Sequence, residues 1–383
     1  MPTTPAASAV RRVVLLALLA AGLVVAGCGS SDEDSATTGD GTAEQAAATA
    51  GATAEAASPT TASKDLRTVR FVMPVPPGPD LAAYYIADKV FGEENGIKIE
   101  FDTQLVATQG AKLIMQDRAD AFLGITTVLA VVNDAGLPLK YFRDDFVRNL
   151  TGFAVPADSD IQEIKDLKGK TIGIVDPGWT IVWDPIMRAA GLKPDEYEYK
   201  VVGVGNYQAM AAGKVDAVAS WAMNWQPPNA KIQKLRYLPG DALEGIARTP
   251  SNGIMVRADV IEEAPEWLIG LGRAVSQAQD FMQANPECAA KIAREYVETD
   301  DSMEVTLAQI TEQIEFHRNA ATDAHGLGYS DPAAFDYMLE DMRAGGVIKK
   351  PLTAADVTDN SLIDQINEFD QAAVVEKAEA CQI

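Results

Sequence analysis

The sequence predicts an α/β chain of two lobes finished by a helical C-terminal layer, and three observations carry that prediction. Between Leu167 and Trp225 short β-branched runs alternate with short helices, the pattern of a parallel α/β sheet. The order strand, turn, helix, x-Asp-Ala, strand occurs twice, over 99–125 and over 199–220, so that Arg118-Ala119-Asp120-Ala121 and Lys214-Val215-Asp216-Ala217 occupy equivalent points. Two such units read as two similar lobes facing each other across a cleft. Past Ala264 the apolar residues recur at helical spacing.

Residues 69–73 read as the first strand, and the proline-rich stretch 74–80 as a turn that cannot be helical. A helix over 81–90 carries Tyr84 and Tyr85. A strand over 97–101 follows Gly96, then a helix over 111–116, then a strand that opens at Ala119-Asp120-Ala121 and reaches Ile125. Thr126-Thr127 caps the next helix, which Gly136 closes. Segments 149–156 and 253–256 each join one lobe to the other and read as crossing strands, which places lobe one at 66–156 with 250–383 and lobe two at 157–249. In lobe two, 171–175 is a strand ended by Asp176-Pro177-Gly178. Asp184-Pro185 reads as an N-cap with proline in the first turn, so the helix is expected to begin at 185; Gly191 ends it. A strand over 199–204, a helix over 207–212 capped by Asn206, and a strand over 215–220 complete the lobe. In the tail, Trp267, Leu268, Leu271, Val275, Ala278 and Phe281 form one apolar helix face. Asn285-Pro286 ends that helix and starts another, Asp301-Ser302-Met303-Glu304 has capping-box spacing, and Asp331-Pro332 opens a helix closed by Gly345-Gly346.

The phrases DLKGKTIGI at 166–174, AAGLKPDEY at 189–197 and AAGKVDAVASW at 211–221 resemble the solute-binding proteins of ABC importers. The subgroup is the one for nitrate, alkanesulfonates, taurine and thiamine-pyrimidine precursors, and the likeness runs over about 69–297. It implies a type II periplasmic-binding-protein fold and a monomer without enzymatic activity or cofactor. Such a protein closes over a small organic ligand, heteroaromatic or of sulfonate/carboxylate type, and delivers it to a membrane permease with its ATPase. Members share these phrases while binding different molecules, so the ligand is not implied. Relatives that make the thiamine pyrimidine use the same architecture with pyridoxal phosphate and a histidine, which makes an enzyme the rival reading. A sensor lipoprotein that presents its closed form to a membrane receptor is a third.

The N-terminus points to export. Arg11-Arg12, the apolar run 13–26 and small residues before Cys28 form a targeting segment, and Val25-Ala26-Gly27-Cys28 resembles a bacterial lipobox with Cys28 as the lipidated residue. The apolar run is shorter than the ~20 residues of a spanning helix. Residues 1–27 are thus expected to be a lipoprotein signal peptide. Residues 28–65, rich in Ala, Thr, Ser, Gly, Asp and Glu, are expected to be a disordered tether holding the body at the extracytoplasmic face of the cell membrane. Cys288 and Cys381 then work in an oxidising compartment and form a candidate disulfide, with two free thiols as the alternative.

Composition excludes other classes. Lysine plus arginine number 32 against 55 aspartates and glutamates, a formal charge of −23 with no basic stripe, so nucleic acid is not a partner. Gly203-x-Gly205 lacks the third glycine of a dinucleotide fingerprint, and no metal-ligand cluster or catalytic constellation is visible. His317 and His325 lie in the helical tail, away from any strand end, and are expected to be surface or packing residues.

Ligands of α/β sheets sit beyond the carboxyl ends of the strands. The residues there are aromatic (Tyr84, Trp179, Trp183, Trp221) and polar (Asp80, Thr108, Thr126, Thr127, Asp176, Thr180, Asn206, Asn224, Asn252). The aromatic group suits a flat ring through stacking. Helix N-termini near Thr126 and Asn206 suit a carboxylate, nitrate or sulfonate. Only Lys112 and Arg248 lie near a strand end, so a strongly anionic ligand lacks a counter-charge.

Overall fold

The structure, a computed structural model, describes residues 66–224 and 231–381, which fall within one compact unit. The signal segment, Cys28 and the tether lie outside the described residues.

The first half of the chain contributes β1 (Arg67–Met73), α1 (Ala82–Ile86), β2 (Ile97–Thr103), α2 (Gln109–Met115), β3 (Ala121–Ile125), α3 (Thr126–Asp134) and β4 (Leu139–Phe146). The middle contributes β5 (Thr151–Pro156), β6 (Thr171–Ile174), α4 (Thr180–Ala189), β7 (Glu198–Val201), α5 (Asn206–Ala211), β8 (Ala217–Trp221), β9 (Leu235–Pro239) and α6 (Glu244–Ala247). The chain returns through β10 (Asn252–Arg257) into helices α7 (Ala258–Glu263), α8 (Pro265–Ala284), α9 (Pro286–Tyr296), α10 (Met303–Ile314), α11 (Ala320–His325) and α12 (Pro332–Ala344). Three short helices, α13 (Ala354–Val357), α14 (Ile363–Ile366) and α15 (Gln371–Ala380), finish it.

The strands form two five-stranded sheets ordered β2-β1-β3-β10-β4 and β7-β6-β8-β5-β9. Term for term these are the same topology. In each sheet the fourth strand, β10 or β5, runs antiparallel to both neighbours, because it enters from the other lobe. The expected wholly parallel sheet is therefore mixed. The lobe boundary also moves: all of β5 pairs inside the second sheet, so the first crossing ends before Thr151 rather than at 156. Strands β4 and β9, the edge strands after each antiparallel strand, have no counterpart in the elements read from sequence.

The two x-Asp-Ala phrases do one job twice. Asp120 accepts from the backbone N–H of Arg70 at 2.8 Å while its own N–H donates to Arg70 O. Asp216 does the same to Thr171, side chain at 2.8 Å and N–H to Thr171 O. Each aspartate pins the start of a central strand to the strand beside it.

Helix α4 begins at Thr180, and Pro185 lies inside it rather than at its first turn. Asp176 accepts from Gly178 N at 2.8 Å and caps a 3-10 turn, Pro177–Trp179, that launches the helix five residues early. An interior proline removes one bond and costs about 3 kcal/mol. Burial of Val182, Trp183, Ile186 and Met187 on one face offsets that cost. In the tail, Asn285 caps α9 through Cys288 N as expected, whereas α10 is capped by Ser302 rather than Asp301.

Phe71, Tyr84, Tyr85 and Phe91 form the core of lobe one with α8 and α9. A second apolar cluster runs from α3 through Phe335, Met338, Leu339 and Met342 of α12 to α4 and β6, so the two lobes share a seam. The crossings are tied to each other: Asn149 donates to Thr249 Oγ1 at 3.1 Å, and Ser251 N to Phe146 O at 2.8 Å. Cys288 and Cys381 are joined, fastening α15 to α9 across 93 residues of sequence.

Candidate functional site

The carboxyl ends of β1, β2, β6, β7 and β8 converge on one cavity of about 210 Å³ between the sheets. Lobe one supplies Pro74, Val75, Pro76, Asp80 and Leu105; lobe two supplies Val175, Trp179, Val204, Asn206, Tyr207, Ala219, Ser220, Trp221 and Asn224. A recess of about 30 Å³ continues from it past Pro74, Val75, Asp80, Trp221 and Asn224 to Phe146 and Asn252.

Three tryptophans form one wall assembly. Trp179 and Trp221 meet edge-on at 5.4 Å, and Trp183 meets Trp221 at 5.1 Å. Trp183 is a buried support, its Nε1 donating to Gly152 O at 3.0 Å. Trp179 reaches across instead: its Nε1 donates to Leu105 O at 3.0 Å, a bond between lobes at the cavity. The Tyr207 hydroxyl and Ser220 Oγ are hydrogen-bonded, and burial pushes the phenol's pKa up, so it remains protonated.

Asp80 is the single carboxylate lining the cavity and recess among the described residues. Burial raises its pKa, opposed by Asn224, which donates to it at 3.3 Å. Gln309 of α10 donates to Asn224 Oδ1 at 3.2 Å, which holds the amide with its NH2 toward Asp80.

Of the residues read from sequence, Asp80, Trp179, Asn206, Trp221 and Asn224 meet at the cavity, and Asn252 lines the recess. Others are structural. Tyr84 lies in the lobe-one core, donating to Asp145 at 2.6 Å. Asp176 and Thr180 bond within their own turn, Thr180 Oγ1 donating to Pro177 O at 3.2 Å. Thr108 precedes α2 without capping it and does not line the cavity. Thr126 caps nothing: its N–H and Oγ1 both donate to Ser251 O at 2.9 Å, and it does not line the cavity. Thr127 lines a separate cavity with Val182, Ile186 and Tyr337. Asn206 is the first residue of α5 rather than its cap, its Oδ1 accepting from Tyr207 N. Sequence reasoning missed Leu105, Val204, Tyr207 and Ser220. Ser220 closes the strand before Trp221, and that position alone could have found it.

The family profile described as NMT1/THI5 like matches residues 78–289, more than half of the chain and the cavity wall apart from Pro74, Val75 and Pro76. The chain belongs to this family. As an NMT1/THI5-like protein it is 26% identical over 328 residues to the riboflavin-binding protein RibY of Chloroflexus aurantiacus, covering 81% of this chain and 92% of that one. The nitrate-binding protein NrtA of Synechocystis PCC 6803 superposes with a TM-score of 0.60 at 14% identity, over 83% of this chain and 99% of that one. The alkanesulfonate-binding protein SsuA of Xanthomonas axonopodis pv. citri, solved with MOPS, gives 0.59 at 15%, over 77% and 99%. The NMT1/THI5-like chain thus has the fold of the solute-binding components of ABC importers. No helix among the described residues is long and apolar enough to cross a membrane.

Proposed function

We propose that this protein is the extracytoplasmic solute-binding component of an ABC importer, and that its lobes close over a flat, nitrogen-containing aromatic molecule. The observation that carries the reading is the Trp179–Trp221–Tyr207 wall, together with the Trp179 bond to Leu105 in the opposite lobe. Ring faces offer stacking surface worth about 0.5–1.5 kcal/mol per pair beyond area burial. A ligand that completes contacts to both lobes stabilises the closed state, and that state is the one a permease distinguishes. The relative named for riboflavin supports a ring ligand. The sulfonate and carboxylate alternatives lose support: among the described residues the cavity lining holds no lysine or arginine, and neither Thr126 nor Thr127 at the start of α3 lines it.

The volume bears on ligand size. Sites for drug-sized ligands run to about 300–1,000 Å³, so 210 Å³ fits one ring, and a fused-ring ligand requires the lobes to part. Cys28 anchors the protein by lipid, and export removes residues 1–27. Radiolabelled palmitate should enter the parent protein and not Cys28→Ala.

Thermal unfolding with pyrimidines, riboflavin, taurine, alkanesulfonates and nitrate tests the ligand class. A ligand at about 100 times its Kd adds roughly 2.7 kcal/mol of stability. A shift with ring compounds is expected, and Trp179→Ala or Trp221→Ala should weaken it by more than about 1 kcal/mol of binding. A shift with taurine, sulfonates or nitrate alone would sink the aromatic reading.

A further inference from the structure

We propose that Asp80 selects the ligand, and that the ligand presents to it a hydrogen-bond donor or positive charge, such as a ring N–H, a ring amine or a protonated ring nitrogen. The inference rests on the aromatic reading of the cavity and narrows it to one chemical class.

Four features of the site support it. Asp80 stands where the main cavity and the recess join, so its carboxylate faces any molecule that fills either. No cation balances it: the lining has no lysine or arginine among the described residues, and residues 225–230, which follow Asn224 directly, carry none in their sequence. Its partners are neutral: its own backbone N–H and the amide of Asn224 at 3.3 Å, which Gln309 holds in orientation. Finally, the carboxylate is folded back over Gly78, where a Cβ would come within 2.2 Å of Asp80 Oδ1. Any other residue at 78 displaces the carboxylate, so Gly78 is what lets it sit there.

A half-buried carboxylate with two neutral donors, the Asn224 amide and its own backbone N–H, has acceptor capacity left over, since an ionised carboxylate offers about four lone-pair sites. A ligand N–H that fills it makes a charge-assisted bond, whereas a ligand that offers only acceptors there meets repulsion and leaves a desolvated charge unpaired. Binding and protonation are then linked. Burial has raised the pKa of Asp80 in the free protein, and a donor ligand lowers it again, so affinity falls as pH drops through the free-state value.

The experiment uses the purified full-length protein and two matched pairs of probes: 4-amino-2-methylpyrimidine against 2-methylpyrimidine, and riboflavin against N3-methylriboflavin. Each pair keeps the ring and removes the donor. Binding is measured by calorimetry for the parent, Asp80→Asn and Asp80→Glu. In at least one pair the parent should prefer the donor-bearing member by roughly 10- to 100-fold. Asp80→Asn should erase that preference and its pH dependence, and Asp80→Glu should keep part of both. Because burial penalises the charge, the ligand-free melting midpoint of Asp80→Asn should match or exceed the parent's, which separates lost selection from lost folding. If the parent binds both members of each pair equally, or Asp80→Asn retains the preference, the role of Asp80 is overturned and the aromatic reading stands. Binding of taurine or an alkanesulfonate with no binding of any ring probe overturns both.

Discussion

His317 ends a chain of buried polar groups that runs beneath the recess. Arg143 donates to Asp145, to Gly272 O at 2.7 Å, to Ser276 at 2.8 Å and to Gln279 at 2.9 Å, and His317 Nδ1 lies 2.9 Å from Asp145 O. Its ring packs on Phe146, the last residue before the first crossing, and Nε2 is buried with no hydrogen-bond partner. Burial holds the imidazole neutral and brings its pKa down to about 4. In the unfolded chain it takes a proton near its ordinary 6.5. Between those values the unfolded state binds more protons, so His317 lowers stability as pH falls from about 6.5 to about 4, by about 3 kcal/mol in full. Asp144, whose pKa burial raises well above the carboxylate range, acts in the opposite direction. The expected result is therefore a difference: denaturant melts of the parent and His317→Gln should diverge in slope across pH 4–6.5, the parent losing more on acidification. Parallel slopes would remove His317 from the acid response. The sequence left the histidine as either a surface or a packing residue, because its burial depends on β4, which sequence did not reveal.

At the scale of elements, α15 is held to the body by covalent and polar contacts together. The Cys288–Cys381 bond joins its end to the start of α9, Asn285 donates to Ala378 O at 2.9 Å, and Val374 and Ala378 bury against lobe one. Its own amphipathic pattern is weak, so the disulfide supplies much of what keeps it docked. Cys381→Ser is expected to cost about 2–4 kcal/mol in denaturant melts. Since α15 packs on α8 and contributes no residue to the cavity or the recess, ring-ligand affinity should stay within about 2-fold of the parent. A matching fall in affinity would show that the tail couples to the cleft. Helix α4 is the complementary case. Its Asp-Pro pair gave a correct local signal for a helix start, yet burial of two tryptophans and three aliphatic side chains outweighed the proline and moved the start upstream.

For the whole molecule, a shared apolar seam and bonded crossings join the two lobes. On the proposed closure the lobes would pivot at 147–150 and 248–251, where Asn149 and Ser251 tie the two passages together. The seam through α12 resists opening on its side, and Arg188 of α4 is paired there with Asp341 at 2.5 Å. Across the cavity the lobes are tied by the Trp179–Leu105 bond and by Asn224, which bonds Asp80 and Gln309. Trp179→Phe keeps an aromatic wall and loses only the donor, a net loss of about 0.5–1.5 kcal/mol from the closed state. Solution scattering of the ligand-free protein should therefore give a larger radius of gyration for Trp179→Phe than for the parent, with ring ligand restoring most of the difference. Equal radii would mean that the bond does not hold the lobes.

What the chain's own pattern determined was the repeated unit, its strand ends and the helical tail. Those follow from local physics: β-branched runs, glycine and proline punctuation, and caps. That pattern also placed Trp179, Trp221, Asn206, Asp80 and Asn224 at one level beyond the sheets, because strand direction alone sets which ends converge. Only tertiary structure decided the rest. The antiparallel strands β5 and β10 owe their direction to the return of the chain from the opposite lobe, which no local signal encodes. Thr126 lost its amide to Ser251, 125 residues away, and Tyr84 turned into the core to meet Asp145. A cavity wall is chosen by which side of each strand end faces the other lobe, and that is settled by packing between segments far apart in sequence.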